Sequence, residues 1–135
     1  MKYLNEITHN GNTLAIILRA EYKKDGIEFF TPDHFSQQLG YMKHKQGHKI
    51  IPHLHNKVSR TVDYTFEVLF IKSGKVKVDF YDDNKIYLHS DILCKGDVIL
   101  LAYGGHGFEI LEDSEMIEVK QGPYAGDDDK TRFQV

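Results

Sequence analysis

The sequence predicts an all-β fold, and three observations support that prediction. Short runs of β-branched, aromatic and other apolar residues recur along the chain. Clusters of Gly, Asp, Asn and Ser, which favour turns, separate the runs. No segment has the apolar spacing of a helix of three or more turns. Short strands at such even spacing are typical of a sandwich or a barrel.

The expected strands belong to one domain, residues 1–135. Strands within residues 13–45 should pack on a core barrel, residues 47–120, and residues 121–135 form a tail. Alternating apolar and charged residues at 75–81 predict a strand with one buried face and one solvent-exposed face. The expected strands are residues 13–20, 26–30, 37–45, 49–55, 64–72, 75–81, 85–89, 98–102, 107–111 and 115–120. The expected turns are residues 23–26, 73–74, 82–84, 95–97 and 112–114.

Residues 64–71 predict a strand that is buried on both faces. One face can line the barrel interior, and the other must pack on a second sheet, an N-terminal strand or another subunit. We expect a homodimer formed through the outward face. The alternating residues are Phe66, Val68 and Phe70 on one face and Glu67, Leu69 and Ile71 on the other.

His53 and His55 are candidate metal ligands. A His-x-His pair within a strand points both imidazoles to one face, about 7 Å apart along the backbone, so that both can reach one ion. The alternative is a solvated pair on an edge strand.

Glu67 and His106 are the other two candidate ligands. Glu67 lies in an apolar run, where an unpaired carboxylate is costly and a cation would remove the cost. His106 follows two glycines that permit a tight turn before the next apolar run. Three imidazoles and one carboxylate suit a divalent first-row transition metal. As alternatives, Glu67 could pair with a buried Arg or Lys such as Arg60, and His106 could be a turn histidine with satisfied hydrogen bonds.

These residues resemble the two motifs of the cupin superfamily. The first cupin motif reads Gly-x5-His-x-His-x3–4-Glu-x6-Gly, and the second reads Gly-x5-Pro-x-Gly-x2-His. The first is matched by Gly47, His53, His55, Glu67 and Gly74, with a longer gap over residues 56–66. The second is matched by Gly96, Gly104 and His106, with Ala102 in place of the proline and the histidine one residue early.

The resemblance implies a cupin double-stranded β-helix, that is, a jelly-roll barrel. It also implies one bound divalent metal ion, which would be Fe, Mn, Zn, Ni or Co, and homodimers are common in the superfamily. The implied ligands are His53, His55, Glu67 and His106.

The segment 56–63 lies between two expected ligand strands, at the mouth of the predicted barrel. Lys57 and Arg60 in this segment are candidate substrate-binding residues, since both can hold a carboxylate or a phosphate. The alternative is an ordinary connection. Candidate catalytic residues near the motif are His48, His44 and Tyr64, which are otherwise surface or rim residues.

The C-terminal segment carries a second resemblance. Residues 118–124 read Glu-x-Lys-x-Gly-Pro-Tyr and are followed by Asp129 and Lys130. This ending is similar to that of small cupin metalloproteins of the WbuC family, which are associated with surface-polysaccharide gene clusters. The resemblance implies a role in carbohydrate metabolism, in polysaccharide biosynthesis.

Composition narrows the class of partner. The net charge is −3 and no stripe of Lys and Arg is present, which argues against nucleic acid. No apolar run approaches the roughly 20 residues that a membrane helix needs. The N-terminal residues lack the apolar core of a signal peptide, and the single cysteine, Cys94, cannot form an internal disulfide. We expect a cytoplasmic protein with a small, sugar-like, anionic ligand.

Three functional classes fit these observations. The first is a metal-dependent isomerase or epimerase acting on a sugar or nucleotide sugar, in which a His or Tyr moves the proton. The second is a non-haem iron dioxygenase, and the third is a non-catalytic cupin that binds a sugar or metabolite. A metal-free epimerase, with histidines acting directly as bases, is a further alternative.

Overall fold

The computed structural model describes residues 2–135 and confirms the all-β class. The strands are β1 Leu4–His9, β2 Asn12–Leu18, β3 Gly26–Phe29, β4 Gly40–Lys43, β5 Glu67–Tyr81, β6 Tyr87–Cys94, β7 Val98–Leu101 and β8 Gly105–Lys120. A short 3-10 helix, Gly126–Asp129, lies in the tail. Within residues 2–135, no helix is long and apolar enough to cross a membrane.

Strand β5 is the centre of the main sheet, in which every described pairing is antiparallel. One edge of β5 pairs with β7 along its first residues and with β6 along its last residues. The other edge of β5 pairs with β8. Strands β2 and β1 extend the sheet beyond β7, and β3 and β4 form a separate two-stranded sheet. The main sheet curls into a half-barrel.

The long β5–β8 ribbon bends near its middle. The pairing runs from Glu67 opposite Lys120 to Tyr81 opposite Gly105, with shifts of register around Ser73. Gly74 has a φ of +90°, and a Cβ there would overlap Ser114 on the neighbouring strand. Irregular pairing of this kind bends and twists a ribbon. The bend lets the two ends of the ribbon face each other across the concave side of the sheet.

Two apolar cores lie on opposite faces of the sheet. The concave face carries the larger core, which includes Ile71, Val76 and Val78 of β5, each with no exposed surface. On the other face, Phe66 and Leu100 pack with two residues that precede β4, Phe35 and Leu39. The largest side chains of the main core are Phe80, Ile17, Leu93 and Ile99. The chain itself therefore covers Phe66 and part of Val68 on the outward face, whereas Phe70 on the same face stays 39% exposed.

Most expected strands are present, although their bounds differ. Expected strands 64–72 and 75–81 merge into β5, and expected strands 107–111 and 115–120 merge into β8. Strand β1 was not predicted, because its sequence, LNEITH, mixes charged and apolar residues.

The prediction of a strand at 49–55 is wrong. Residues 44–66 form no strand, and Ile51 and Leu54 are about 80% exposed, at 81% and 80%. Pro52 also lacks the N–H group that a strand would donate. With no neighbouring strand to pair with, these β-prone residues remain solvent-exposed.

Candidate functional site

Glu67 and His106 meet on the concave face of the sheet. Glu67 is the first residue of β5, and His106 lies at the start of β8, opposite Phe80 near the far end of β5. The bend of the ribbon brings His106 Nε2 to 3.6 Å from Glu67 Oε1. Both side chains are partly buried, with 28% of His106 and 18% of Glu67 exposed. A ligand on the concave side can therefore reach this pair.

The turn before His106 requires a glycine. Gly104 has a φ of +77°, and a Cβ at this position would lie 2.6 Å from the Tyr81 carbonyl oxygen. Only glycine combines this backbone conformation with such a close approach at low cost. The close turn starts β8 beside the end of β5 and so sets the position of His106.

Glu118 completes an acidic pair with Glu67. Glu118 lies opposite Leu69 in the ribbon, on the same face as Glu67. The His106 side chain is the main cause that lowers the pKa of Glu67 to about 2, and a hydrogen bond with Glu118 contributes. The same hydrogen bond with Glu67 is the main cause that raises the pKa of Glu118. The interaction between the two carboxyl groups therefore favours the proton on Glu118 over the proton on Glu67.

Two lysines add positive charge around this pair. Lys120 lies opposite Glu67 in the ribbon, and its charge favours the ionised form of Glu67 and of Glu118. Lys130, from the tail, also favours the ionised form of Glu118. The site therefore combines an imidazole, a carboxylate pair and two ammonium groups.

The tail is held close to the site at both of its ends. The Gln121 N–H donates to the Phe66 carbonyl at 3.0 Å, and the Thr65 hydroxyl donates to the Asp129 carboxylate. Farther along, the Phe133 ring contacts Tyr81 at a centroid distance of 5.2 Å, beside the start of β8. Between these attachments the tail and the end of β8 enclose a small pocket of about 80 Å³. Its charged lining residues are the cations Lys120, Lys130 and Arg132 and the acids Asp127 and Asp129.

The structure does not place His53 and His55 on a strand. Both are exposed in the segment after β4, with ring centroids 5.3 Å apart and His53 Nδ1 2.9 Å from the Ile51 carbonyl oxygen. Within residues 2–135, no group of three or more His, Cys, Asp or Glu side chains is arranged to hold a metal ion. Glu67 and His106 face each other. The four expected ligands, however, do not come together in one group.

The remaining predicted residues also lie outside the concave site. His44 and His48 stack on each other at 4.1 Å and are exposed. The Tyr64 side chain is 66% exposed, and its ring contacts Tyr103, which packs against both cores, at a centroid distance of 5.9 Å. The two expected anion-binding residues, Lys57 and Arg60, are exposed in the same segment as His53.

Sequence reasoning did not identify Glu118, Lys120 or Lys130 as site residues. Glu118 and Lys120 alternate along the last strand, so they share one face, and this alternation was the available signal. Placing that face beside Glu67 required the register of β8 on β5, which the sequence does not provide.

Comparison with protein-family models, with curated proteins and with solved structures finds no match for this chain.

Proposed function

We propose that this protein is a small-molecule enzyme of the isomerase or epimerase type, which moves a proton by general acid–base catalysis. The observation that carries the proposal is the carboxylate pair beside an imidazole on the concave face. Its two carboxyl groups have pKa values shifted in opposite directions, downward for Glu67 and upward for Glu118. Carboxyl groups whose environments separate their pKa values in this way are suited to different roles in one reaction.

In this proposal His106 is the general base. The carboxylate of Glu67 faces Nε2 of His106, so it orients the ring and stabilises the imidazolium that forms when the ring takes a proton. Glu67 itself is a poor base, because its pKa is about 2. Glu118 retains its proton more readily than an ordinary glutamate and is the proposed general acid.

The proposed substrate is a polar, anionic, sugar-like molecule with a proton next to a carbonyl group. Lys120 lies beside the carboxylate pair, where its charge can stabilise an oxyanion that develops when the proton is removed. Lys120, Lys130 and Arg132 around the tail pocket can hold a phosphate or a carboxylate group. These residues replace Lys57 and Arg60 as the proposed anion-binding group.

The resemblance of the tail to that of small cupins supports a saccharide substrate in surface-polysaccharide metabolism. The order of the two cupin-like motifs also supports a complete barrel of the cupin jelly-roll type. Glu67 from the first motif and His106 from the second meet at 3.6 Å, as the two halves of such a site would.

Exchange of substrate protons with solvent deuterium tests the acid–base proposal. A panel of nucleotide sugars and sugar acids would be incubated in deuterated buffer and followed by NMR. We expect one member to exchange a carbon-bound proton, and H106Q to slow the exchange by roughly 10²- to 10⁴-fold. H89Q is the matched control, because His89 on β6 is exposed and lies outside the site. Tight binding without exchange would favour a non-catalytic binding protein instead.

Metal binding is a second candidate, supported by the contact of Glu67 with His106, two of the four expected ligands. The same protein samples, purified without an affinity tag, would be analysed for metal. One equivalent in the wild type, lost in a variant with both His53 and His55 replaced by Ala, would support a four-ligand site. Replacement of His44 and His48 is the control. Bound iron together with oxygen uptake would favour the dioxygenase class.

A further inference from the structure

Residues 44–64, here called the arm, present an unusual apolar surface. The arm leaves β4, forms no strand, and is exposed at each of its positions. Its large apolar side chains are Ile50, Ile51, Leu54, Val58, Val62 and Tyr64, each between 41% and 81% exposed. An exposed apolar surface of this size in one continuous segment indicates an interaction site.

Strand β8 presents an unpaired edge. Within residues 2–135, β8 pairs only with β5, so the N–H and C=O groups along its outer edge have no neighbouring strand. Exposed apolar side chains lie on this strand too, namely Ile110, Leu111, Met116, Ile117 and Val119. A long apolar edge strand is a template for pairing with another segment, and natural proteins usually cover such an edge.

The arm and β8 carry opposite charges. The arm contains the cations Lys45, Lys49, Lys57 and Arg60 and a single acidic residue, Asp63. Strand β8 contains the acidic residues Glu109, Glu112, Asp113, Glu115 and Glu118, with Lys120 at its end. Three of these acids pair with lysines of β5, but those pairs are 3.5 to 3.6 Å long and solvent-exposed, so they contribute little. The charges favour contact of an arm with a β8 strand.

Within residues 2–135, the arm forms no strand and does not pair with its own β8. At the C-terminal end of the arm, Tyr64 contacts Tyr103, which follows β7. Before its N-terminal end, Tyr41 of β4 contacts Tyr22, which follows β2, at a centroid distance of 5.0 Å. Strands β2 and β7 are neighbours, and β5 lies between β7 and β8. The C-terminal end of the arm also lies near the end of its own β8, because Phe66, two residues after the arm, accepts a hydrogen bond from the Gln121 N–H. Pairing within one chain is therefore the alternative to exchange between copies.

We propose that the arm of one copy pairs along the free edge of β8 in a second copy, and that the exchange is reciprocal. Such a dimer has two-fold symmetry and two identical contacts, each formed by one arm and one β8 strand. It covers the apolar side chains of both segments and supplies hydrogen-bond partners for the edge of β8. It also brings the partner's arm next to the strand that carries His106 and Glu118.

Light scattering of the intact chain tests the proposal. We expect a mass of twice 15.6 kDa at micromolar concentration, and a mass of 15.6 kDa for the double variant I51D/L54D. I86D is the matched control, because Ile86 is 60% exposed but lies between β5 and β6, outside the arm. Far-UV circular dichroism should be unchanged in all three proteins. A wild-type monomer, or a dimer that I51D/L54D leaves intact, would overturn the proposal.

Cross-linking separates exchange between copies from pairing within one chain. In a C94S background, chains carrying one of I50C, L54C or V58C would be mixed with chains carrying L111C or I117C. Exchange predicts disulfide-linked pairs between the two kinds of chain, and it predicts that charge reversal by K49E/K57E/R60E reduces their yield. Combining the same two cysteines in one chain should also give linked dimers. Only internally linked monomers would show that the arm folds onto its own β8, which contradicts the proposal.

Discussion

The charge state of Glu67 depends on three side chains of β8, one at its start and two at its end. His106, Lys120 and a hydrogen bond with Glu118 all favour its ionised form, and so lower its pKa. A lone carboxyl group in an apolar strand would have a raised pKa, since burial disfavours the charge. Here the neighbours outweigh burial, and the pKa falls to about 2. Glu67, which the sequence indicated as a metal ligand, therefore also fits the role of a carboxylate that pairs with the His106 imidazole.

Replacement of Glu118 should stabilise the protein at neutral pH. The folded state raises the pKa of Glu118, so the native protein prefers it protonated, and deprotonation at pH 7 acts against folding. E118Q keeps a hydrogen-bond donor and removes the charge, so its free energy of unfolding should exceed that of the wild type at pH 7. The gain should be below about 1 kcal/mol, because the side chain is exposed and screened. The difference should disappear below pH 4, where wild-type Glu118 is protonated.

E67Q should behave in the opposite way. The folded state lowers the pKa of Glu67, so its ionised form contributes stability above the ordinary value of 4.5, and this contribution is lost as the pH falls towards 2. E67Q should therefore be less stable than the wild type at pH 7 and similar to it near pH 2. Urea unfolding of both variants at pH 7, 4 and 2.5 would measure these differences. Identical pH profiles for the two variants would contradict the opposite pKa shifts of Glu67 and Glu118.

Among the site residues, Glu67 and His106 could be found from the sequence and Glu118 could not. Each of the first two is conspicuous in its own segment, one as a charge in an apolar run and the other as a histidine after two glycines. Glu118 is an ordinary acid in a strand with several acids. Only the register of a long ribbon, a non-local property, distinguishes it from them.

At the scale of elements, β5 shows what local patterns can and cannot predict. Its apolar runs on both sides of Gly74 predict strands, and both are present. Ser73 and Gly74 also resemble a turn between two strands, but the ladder with β8 continues past them with a shift of register. A turn and an irregular bend use the same residues, and the partner strand decides between them. In the arm the error was the reverse, because a strand was predicted where none forms. Its β-prone residues lack a partner strand within the chain.

Replacing Gly74 by Ala should weaken the fold at this bend. A side chain here is strained by the φ of +90° and overlaps Ser114 on β8. We expect a loss of about 1–3 kcal/mol in the free energy of unfolding, measured with urea. Gly47 is the matched control, because it has a φ of +87° but nothing within 4 Å of a Cβ. An equal loss for G74A and G47A would mean that backbone conformation alone matters and that the contact with β8 does not.

For the whole molecule, the sequence predicted the all-β class and a sheet that curls towards a barrel. It did not predict the order of the strands in that sheet. The all-β class follows from local composition, and half-barrel curvature agrees with the expected barrel. The central place of β5 and the length of β8 follow from pairings between residues far apart in the chain, such as Glu67 with Lys120. Those pairings depend on the combined burial of both cores, which no single segment encodes.

The position of the arm also divides the chain into two interdependent halves. Strands β1 to β4 precede it and β5 to β8 follow it, yet β2 pairs with β7, and Phe35 and Leu39 pack on Phe66 and Leu100. In the monomeric variant I51D/L54D, whose arm no partner covers, trypsin should cut first after the Lys and Arg residues of the arm, and the two fragments should stay together through gel filtration and separate only in urea. If the fragments elute apart in buffer, the shared core is too weak to join them. If they stay together, the two halves can be produced from separate genes and will assemble into one molecule, as a complementing pair.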